Sequence, residues 1–155
     1  MAEVNDGIAL YQEMKTPPVF WPQLLAIKAA AHALAGKVAE GLVLLDDALE
    51  LAARPDNWGI PELSLLKGDL LTAAGANADA AHWFHRAFDG AGRHGARMTE
   101  LRAGFRLCRL WRSQGRDDAD RLLRSVYDTF TEGFATADLT EARGLLESPP
   151  SQSTG

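Results

Sequence analysis

The sequence predicts an all-α fold made of antiparallel helix pairs, and three observations support this prediction. Strand-like runs of alternating β-branched residues are absent, whereas Ala, Leu, Arg and Glu dominate the long segments. Gly and Pro divide those segments into pieces of helical length. Gly36, Gly75 and Gly115 end three of the pieces at intervals of 39 and 40 residues. Such an even interval is typical of one supersecondary unit repeated along the chain.

The positions of these Gly and Pro residues predict eight helices, and residues 1–147 are expected to form a single domain. The approximate helical ranges are 4–14, 22–35, 39–53, 61–74, 78–88, 98–114, 118–131 and 139–146. Asp138 followed by Glu141 predicts a capping box at the start of the last helix. The chain is expected to loosen after the fifth helix, at the glycines Gly90, Gly92 and Gly95. The tail 148–155 is expected to be disordered.

The residues around the three evenly spaced glycines predict how each helix pair packs. Each glycine is preceded by a small residue at seven positions and a bulky one at four: Ala29 and His32, Gly68 and Leu71, Cys108 and Trp111. The next helix carries a small, large, small pattern at i, i+4 and i+7. These sets are Gly41, Leu45 and Ala48; Ala80, Phe84 and Ala87; and, one residue early, Ala119, Leu123 and Val126. The small residues are expected to let paired helices approach closely.

This pattern resembles the tetratricopeptide repeat (TPR), best in residues 61–94, although the unit is longer than the usual one of about 34 residues. Stretches such as DGIALYQEM and ELRAGFRLCRLWRSQGR resemble the C-terminal repeat region of bacterial multidomain cyclase/ATPase or LuxR-type signalling regulators. The resemblance implies a right-handed TPR-like α-solenoid of about three repeats, with an N-terminal orphan helix and a short C-terminal capping helix. It also implies a protein or peptide partner in signal transduction or transcription regulation.

Composition narrows the possible functions. The net charge of −5 argues against direct nucleic-acid binding. The single cysteine cannot form an internal disulfide framework, and neither a leader nor a membrane-length apolar run is recognised, so we expect a cytoplasmic protein without membrane contact. No G-x-x-x-x-G-K-[ST] loop occurs, and Asp46 and Asp47 point about 100° apart on a helix. We therefore expect no enzyme and no cofactor.

Three sequence features have a chemical and a structural interpretation. Residues 90–95 match G-x-G-x-x-G but follow a helix rather than a strand, which favours a flexible helix end over a dinucleotide site. His82 and His85 share a helix face, yet two imidazoles alone make a poor metal site, so exposed histidines are favoured. Cys108 is expected to be a buried, unreactive thiol because it occupies a small packing position.

The strongest candidate site is a face shared by the first helices of the pairs. In the third unit it carries Arg102, Phe105, Arg109 and Arg112, in the second Glu62, Leu65, Asp69 and Thr72, and in the first Gln23, Ala26, Ala30 and Ala33. The resemblance implies that this face lines a groove, which would run from apolar through acidic to basic. A row of guanidinium groups suits carboxylates or phosphates. Alternatively, Glu62 and Asp69 neutralise Arg102 and Arg109 laterally.

Two functions remain open at this point. The first is a protein-interaction module, with self-association possible through the uncovered N-terminal helix and its residues Gly7, Tyr11 and Met14. The second is a sensor for an anionic small-molecule inducer bound near Arg102, Arg109 and Arg112. An enclosed pocket beside Arg109 would favour the sensor, and a shallow groove would favour the interaction module.

Overall fold

The computed structural model describes residues 20–53, 59–116 and 118–148, together with Glu3, Asp6, Gly7 and Ala9. The three continuous ranges contain helices and turns without a strand, so the all-α prediction is confirmed. The helices are α1 (Trp21–Leu34), α2 (Val38–Ala52), α3 (Ile60–Ala73), α4 (Asn77–His94), α5 (Arg97–Ser113), α6 (Ala119–Tyr127) and α7 (Ala137–Glu147). None of them has the length and apolar character needed to cross a membrane.

The predicted N-terminal helix and the predicted tail lie mostly outside the described residues. Gly7 is helical and exposed, as are its described neighbours Glu3, Asp6 and Ala9. Tyr11 and Met14 are not among the described residues, nor is the segment 149–155. The expectations of an uncovered N-terminal helix and a disordered tail therefore stay predictions.

The evenly spaced glycines all adopt the left-handed conformation that ends a helix. Gly36, Gly75 and Gly115 have φ of 78°, 79° and 70°. The amide of the residue after each glycine donates to the carbonyl of the residue four positions before that glycine. These bonds run from Lys37 to His32, from Ala76 to Leu71 and from Arg116 to Trp111, at 2.9–3.0 Å. This is the Schellman arrangement, which satisfies carbonyls left over at a helix end and reverses the chain. The three turns are therefore structurally equivalent, as their spacing predicts.

Small residues bring the paired helices into contact, as the sequence pattern predicts. A Cβ on Gly41 of α2 would lie 2.8 Å from the carbonyl oxygen of Ala29 on α1. A Cβ on Gly68 of α3 would lie 2.5 Å from Cδ1 of Phe84 on α4. The large residues of the pattern fill the space between the helices, since Leu45, Phe84 and Leu123 are all at least 98% buried.

Three predicted boundaries differ from the structure. α4 continues through Gly90 and Gly92 to His94, so the chain does not loosen there, and only Gly95 has a positive φ, of 68°. The helix end inferred for residues 90–95 is present, since α4 ends at His94 with Gly95 as its C-cap, but it lies later than Gly90 because Gly90 packs inside the fold, where a Cβ would lie 3.1 Å from Cγ of Pro61. α6 ends at Tyr127 rather than near residue 131.

The start of α7 is the third difference. Thr136 is its N-cap, and no side chain there caps the helix, so the capping box predicted at Asp138 and Glu141 does not form. Asp138 instead lies in the first turn, where its carboxylate accepts hydrogen bonds from Arg102 of α5.

The helices fall into two sets by the contacts that they make. Each helix contacts the next one along the chain, and α1, α3, α5 and α7 also contact one another in succession. We call these four the first-helix layer. Within the described ranges, α2, α4 and α6 do not approach one another. Two buried clusters lie between the sets, one around Leu45 and Leu63 and the other around Phe84 and Leu123, and α3 contributes to both.

Candidate functional site

The first-helix layer carries an open cleft of about 470 Å³ between α3, the start of α4, α5 and α7. Its lining residues are Asp69, Thr72, Asn77, Phe84, Phe105, Arg106, Arg109, Leu110, Ser113 and Glu141. Four of the eight residues predicted as the site are among them: Asp69, Thr72, Phe105 and Arg109. The other four, Glu62, Leu65, Arg102 and Arg112, do not line this cleft, and three of them have other contacts that explain why.

Arg102 is occupied by a partner that the sequence did not indicate. Its Nε and Nη2 donate to the two carboxylate oxygens of Asp138 on α7, at 2.9 and 2.8 Å. This hydrogen-bonded pair raises the pKa of Arg102 and lowers that of Asp138. Because the guanidinium of Arg102 is bonded at two points to the carboxylate of Asp138, its charge is already compensated within the chain, and Arg102 is not a free anion-binding residue.

Asp69 and Glu62 also have partners, but not those predicted. Asp69 accepts a hydrogen bond from Nε of Arg106 at 3.0 Å, rather than pairing with Arg109. Glu62 accepts one from the hydroxyl of Thr99 at 2.8 Å, rather than pairing with Arg102. The lateral pairs are therefore 37 residues apart, whereas repeat-equivalent positions are 40 apart. Both observed contacts between α3 and α5 therefore join positions that are not equivalent in the repeat.

Arg112 lies under the surface instead of on the candidate face. Its side chain is 7% exposed, and Nε and Nη2 each lie 2.6 Å from a carboxylate oxygen of Asp120 on α6. Nη1 donates to the carbonyl of Ser148, just after α7, at 3.0 Å. These contacts lower the pKa of Asp120. Arg112 therefore joins three helices and is not available to a partner, which corrects the prediction.

Arg109 is the arginine that remains available in the cleft. It is exposed, and it forms no ion pair or hydrogen bond with any residue that the structure describes. Its nearest ring is Phe105, whose centroid lies 5.8 Å from the guanidinium carbon. Neighbouring Arg106 also lines the cleft but is held by Asp69. The cleft therefore holds one unpaired guanidinium with an apolar ring beside it.

The polar groups around Arg109 extend its possible contacts with a ligand. Asn77, Thr72 and Ser113 line the same cleft and supply an amide and two hydroxyls. Glu141 of α7 also lines it, without an ion pair among the described residues. Asn77, Ser113, Arg106 and Glu141 were not predicted, because none of them occupies a position of the repeated face. Arg106 and Ser113 directly follow face positions on α5, whereas Asn77 and Glu141 lie on α4 and α7.

A second pocket lies between α1 and α3, where the sequence predicts the apolar end of the face. Its volume is about 300 Å³, and its lining residues are Gln23, Ala26, Ile27, Ala30, Gly59, Glu62, Leu63 and Leu66. Gln23, Ala26 and Ala30 were predicted for this part of the face, and Ile27 adds a side chain that is 57% exposed. We call it the apolar pocket.

The remaining candidates match their structural interpretation. His82 and His85 are exposed, as predicted, and the ring of His85 lies 5.2 Å from that of Trp111. Cys108 is fully buried, and burial, together with a hydrogen bond to Asp120, raises the pKa of its thiol to about 11. At neutral pH the thiol is therefore protonated and a poor nucleophile.

One face of the described chain thus has two openings, one apolar and one lined by the unpaired guanidinium of Arg109 and the unpaired carboxylate of Glu141. Nothing beside Arg109 forms a nucleophile with an adjacent base, since Thr72 donates to the carbonyl of Gly68 and Ser113 to that of Leu110. Comparisons of the chain with protein-family models, with curated proteins and with solved structures found no match.

Proposed function

We propose that this chain is a non-catalytic protein-interaction module that binds an acidic polypeptide segment in the cleft around Arg109. In this proposal the helix pairs stack as a right-handed TPR-like solenoid, and the first-helix layer is its concave face. The equivalent turns after α1, α3 and α5 and the successive contacts of the first helices support the arrangement. The resemblance of the sequence supports a place in the distal part of a bacterial cytoplasmic signalling or transcription regulator.

The observation that carries the proposal is the unpaired guanidinium of Arg109. Arg102, Arg106 and Arg112 are each paired with a carboxylate within the chain, whereas Arg109 has no such partner among the described residues and shares the cleft with the unpaired Glu141. A guanidinium is well suited to a carboxylate, which it can bind at two points. Phe105 beside it offers apolar area to the residue that follows or precedes the acid.

The size of the cleft favours a second candidate as well. A volume of about 470 Å³ lies within the range of about 300–1,000 Å³ that is usual for small-molecule pockets. An anionic inducer would then be held by Arg109, with the side-chain amide of Asn77 as a further donor. The open shape of the cleft, continuous with the surface between α3 and α5, favours a polypeptide over an enclosed small molecule.

A display selection with short random peptides tests the proposal on the full chain. We expect retained peptides to share an Asp or Glu, and we expect Arg109→Glu to weaken their binding at least about tenfold, since it replaces attraction by repulsion. Arg143→Glu is the matched control, because Arg143 is exposed on α7 and lines neither opening. Fluorescence polarisation of a labelled selected peptide measures both affinities.

Three results are informative. Loss of binding in Arg109→Glu alone supports the interaction module. Equal binding by both variants, or the absence of any retained peptide, would overturn it. A thermal-shift screen of dicarboxylates and phosphate esters covers the second candidate, for which stabilisation should occur with the wild type and disappear with Arg109→Glu.

A further inference from the structure

The two openings of the first-helix layer lie on the same face and share α3 as a wall. The apolar pocket uses Glu62, Leu63 and Leu66 from the first half of α3, and the cleft uses Asp69 and Thr72 from its second half. The wall opposite α3 is formed by α1 in the apolar pocket and by α5 in the cleft. A segment lying obliquely across α3 would therefore meet both.

We propose that the bound segment is bipartite, with an apolar side chain in the apolar pocket and a carboxylate at Arg109, about four residues apart in an extended chain. This inference rests on the proposed function and specifies its ligand. It commits to one occupant, an extended segment of a partner polypeptide, and it assigns to the apolar pocket a role in specificity.

The chemistry of the apolar pocket determines what it accepts. Its walls are aliphatic side chains and two alanines, Ala26 and Ala30, whose small size leaves the space of about 300 Å³ open. An aliphatic residue such as Leu or Ile fits this volume and removes the exposed surface of Ile27 from water. A charged residue would lose hydration there without gaining a partner of opposite sign, apart from a cation near Glu62.

Charge determines which opening receives the acidic residue of the bound segment and which receives the aliphatic one. Glu62 stands at the rim of the apolar pocket, where it would repel a carboxylate, and Arg109 stands in the cleft, where it would attract one. An acid is therefore favoured beside Arg109 and disfavoured beside Glu62 and beside Glu141, which also lines the cleft. Gln23 lines the α1 side of the apolar pocket, where its buried amide oxygen has no hydrogen-bond partner within the described ranges.

The spacing follows from helix geometry. The two openings are centred about six to seven residues apart on α3, or about 10 Å along its axis at 1.5 Å per residue. They are also displaced by about one interhelical distance, or about 9 Å. The resulting separation of about 13 Å corresponds to about four extended residues at about 3.3 Å each.

The test uses the displayed random peptides and adds two variants of the full chain. Ile27→Asp places a charge in the apolar pocket, and Val43→Asp on α2 is its matched control, because the two side chains are similarly exposed, at 57% and 62%. Ala30→Leu is a second variant, which fills the pocket without adding charge. We expect selected peptides to carry an aliphatic residue about four positions from an acid. Their affinity should fall at least about tenfold in Ile27→Asp and in Ala30→Leu, and remain unchanged in Val43→Asp.

The outcomes separate this inference from the function on which it rests. If Arg109→Glu abolishes binding while Ile27→Asp and Ala30→Leu bind like the wild type, the apolar pocket has no role and the bipartite ligand is wrong, but the interaction module stands. If the pocket variants lose binding and Arg109→Glu does not, the acidic anchor is wrong and both proposals fall. Selected peptides without a fixed spacing between the aliphatic and acidic positions would also contradict the bipartite ligand.

Discussion

Glycine at position 68 shows how one residue sets the distance between two helices. A methyl group there would overlap the ring of Phe84, which is 98% buried between α3 and α4. The sequence indicates a small residue at this position, because Ala29 and Cys108 occupy the equivalent positions. It does not indicate that alanine is already too large, since that depends on the ring packed against it.

We expect Gly68→Ala to destabilise the fold by about 1–3 kcal/mol, because the ring of Phe84 must move within a filled core. Gly144→Ala is the control, since Gly144 lies in α7 with no atom near the added methyl group, and alanine there should stabilise by about 0.5–1 kcal/mol. Urea denaturation followed by circular dichroism measures both changes. Equal stabilisation by the two substitutions would show that α3 and α4 do not meet as described.

At the scale of elements, α5 is the helix that binds α6 and α7 through two of its arginines. Arg112 reaches Asp120 on α6 and the carbonyl that follows α7, and Arg102 reaches Asp138 on α7. Each pair lowers the pKa of its carboxylate. Because the unfolded chain has the ordinary carboxyl pKa of about 3.9, these pairs stabilise the fold fully above that pH and lose their effect as the pH falls through the lower, folded values.

We therefore expect the free energy of unfolding to decrease below about pH 4, with less dependence on pH in Asp120→Asn. At pH 7 this variant should be less stable by about 1–3 kcal/mol, because Arg112 keeps its burial and loses its charged acceptor. Asp89→Asn on the exposed side of α4 is the control. Denaturation curves between pH 3 and 7 give the comparison, and parallel curves for the two variants would contradict the role of this pair.

The helices themselves are predictable where a local signal ends them. Gly36, Gly75 and Gly115 mark their turns because only a residue without Cβ enters the left-handed region without strain. α4 ends in the same way, at Gly95 with a φ of 68°, but the sequence does not indicate which glycine ends it, since Gly90 and Gly92 stay helical. At Gly90 and Gly92 the lack of a side chain allows close packing rather than a turn. A single sequence does not distinguish these two uses of glycine.

The whole molecule is held by two buried clusters that meet at α3, and this division affects how it opens. Leu45 and Leu123 are both fully buried, one in each cluster. Because each helix contacts only adjacent helices, a substitution that weakens one cluster is expected to destabilise mainly the helices that form that cluster.

We expect Leu45→Ala and Leu123→Ala each to cost about 2–5 kcal/mol. Hydrogen exchange should rise mainly in α1 and α2 for the first variant and in α6 and α7 for the second. Mass spectrometry of deuterated peptides from the intact chain measures the pattern. Uniform acceleration over all helices in both variants would show a single cooperative unit instead.

The candidate site was predictable in part. Phe105 and Arg109 follow from the repeated face of the first helices, as do Gln23, Ala26 and Ala30 in the apolar pocket. The partners that occupy Arg102 and Arg112 could not be predicted, because they lie on α7 and α6, outside the repeated face. The difference between an available and a neutralised arginine thus depends on how α6 and α7 pack against α5.

The unequal contacts of the two helix sets have a mechanical consequence. Although α2, α4 and α6 do not contact one another, each of them packs against the first helix of the next pair. The first helices α1, α3, α5 and α7 are also joined in succession. Both helices of each pair therefore contact the first helix of the next pair, so a change in the curvature of the surface that carries both openings would have to alter both sets of contacts.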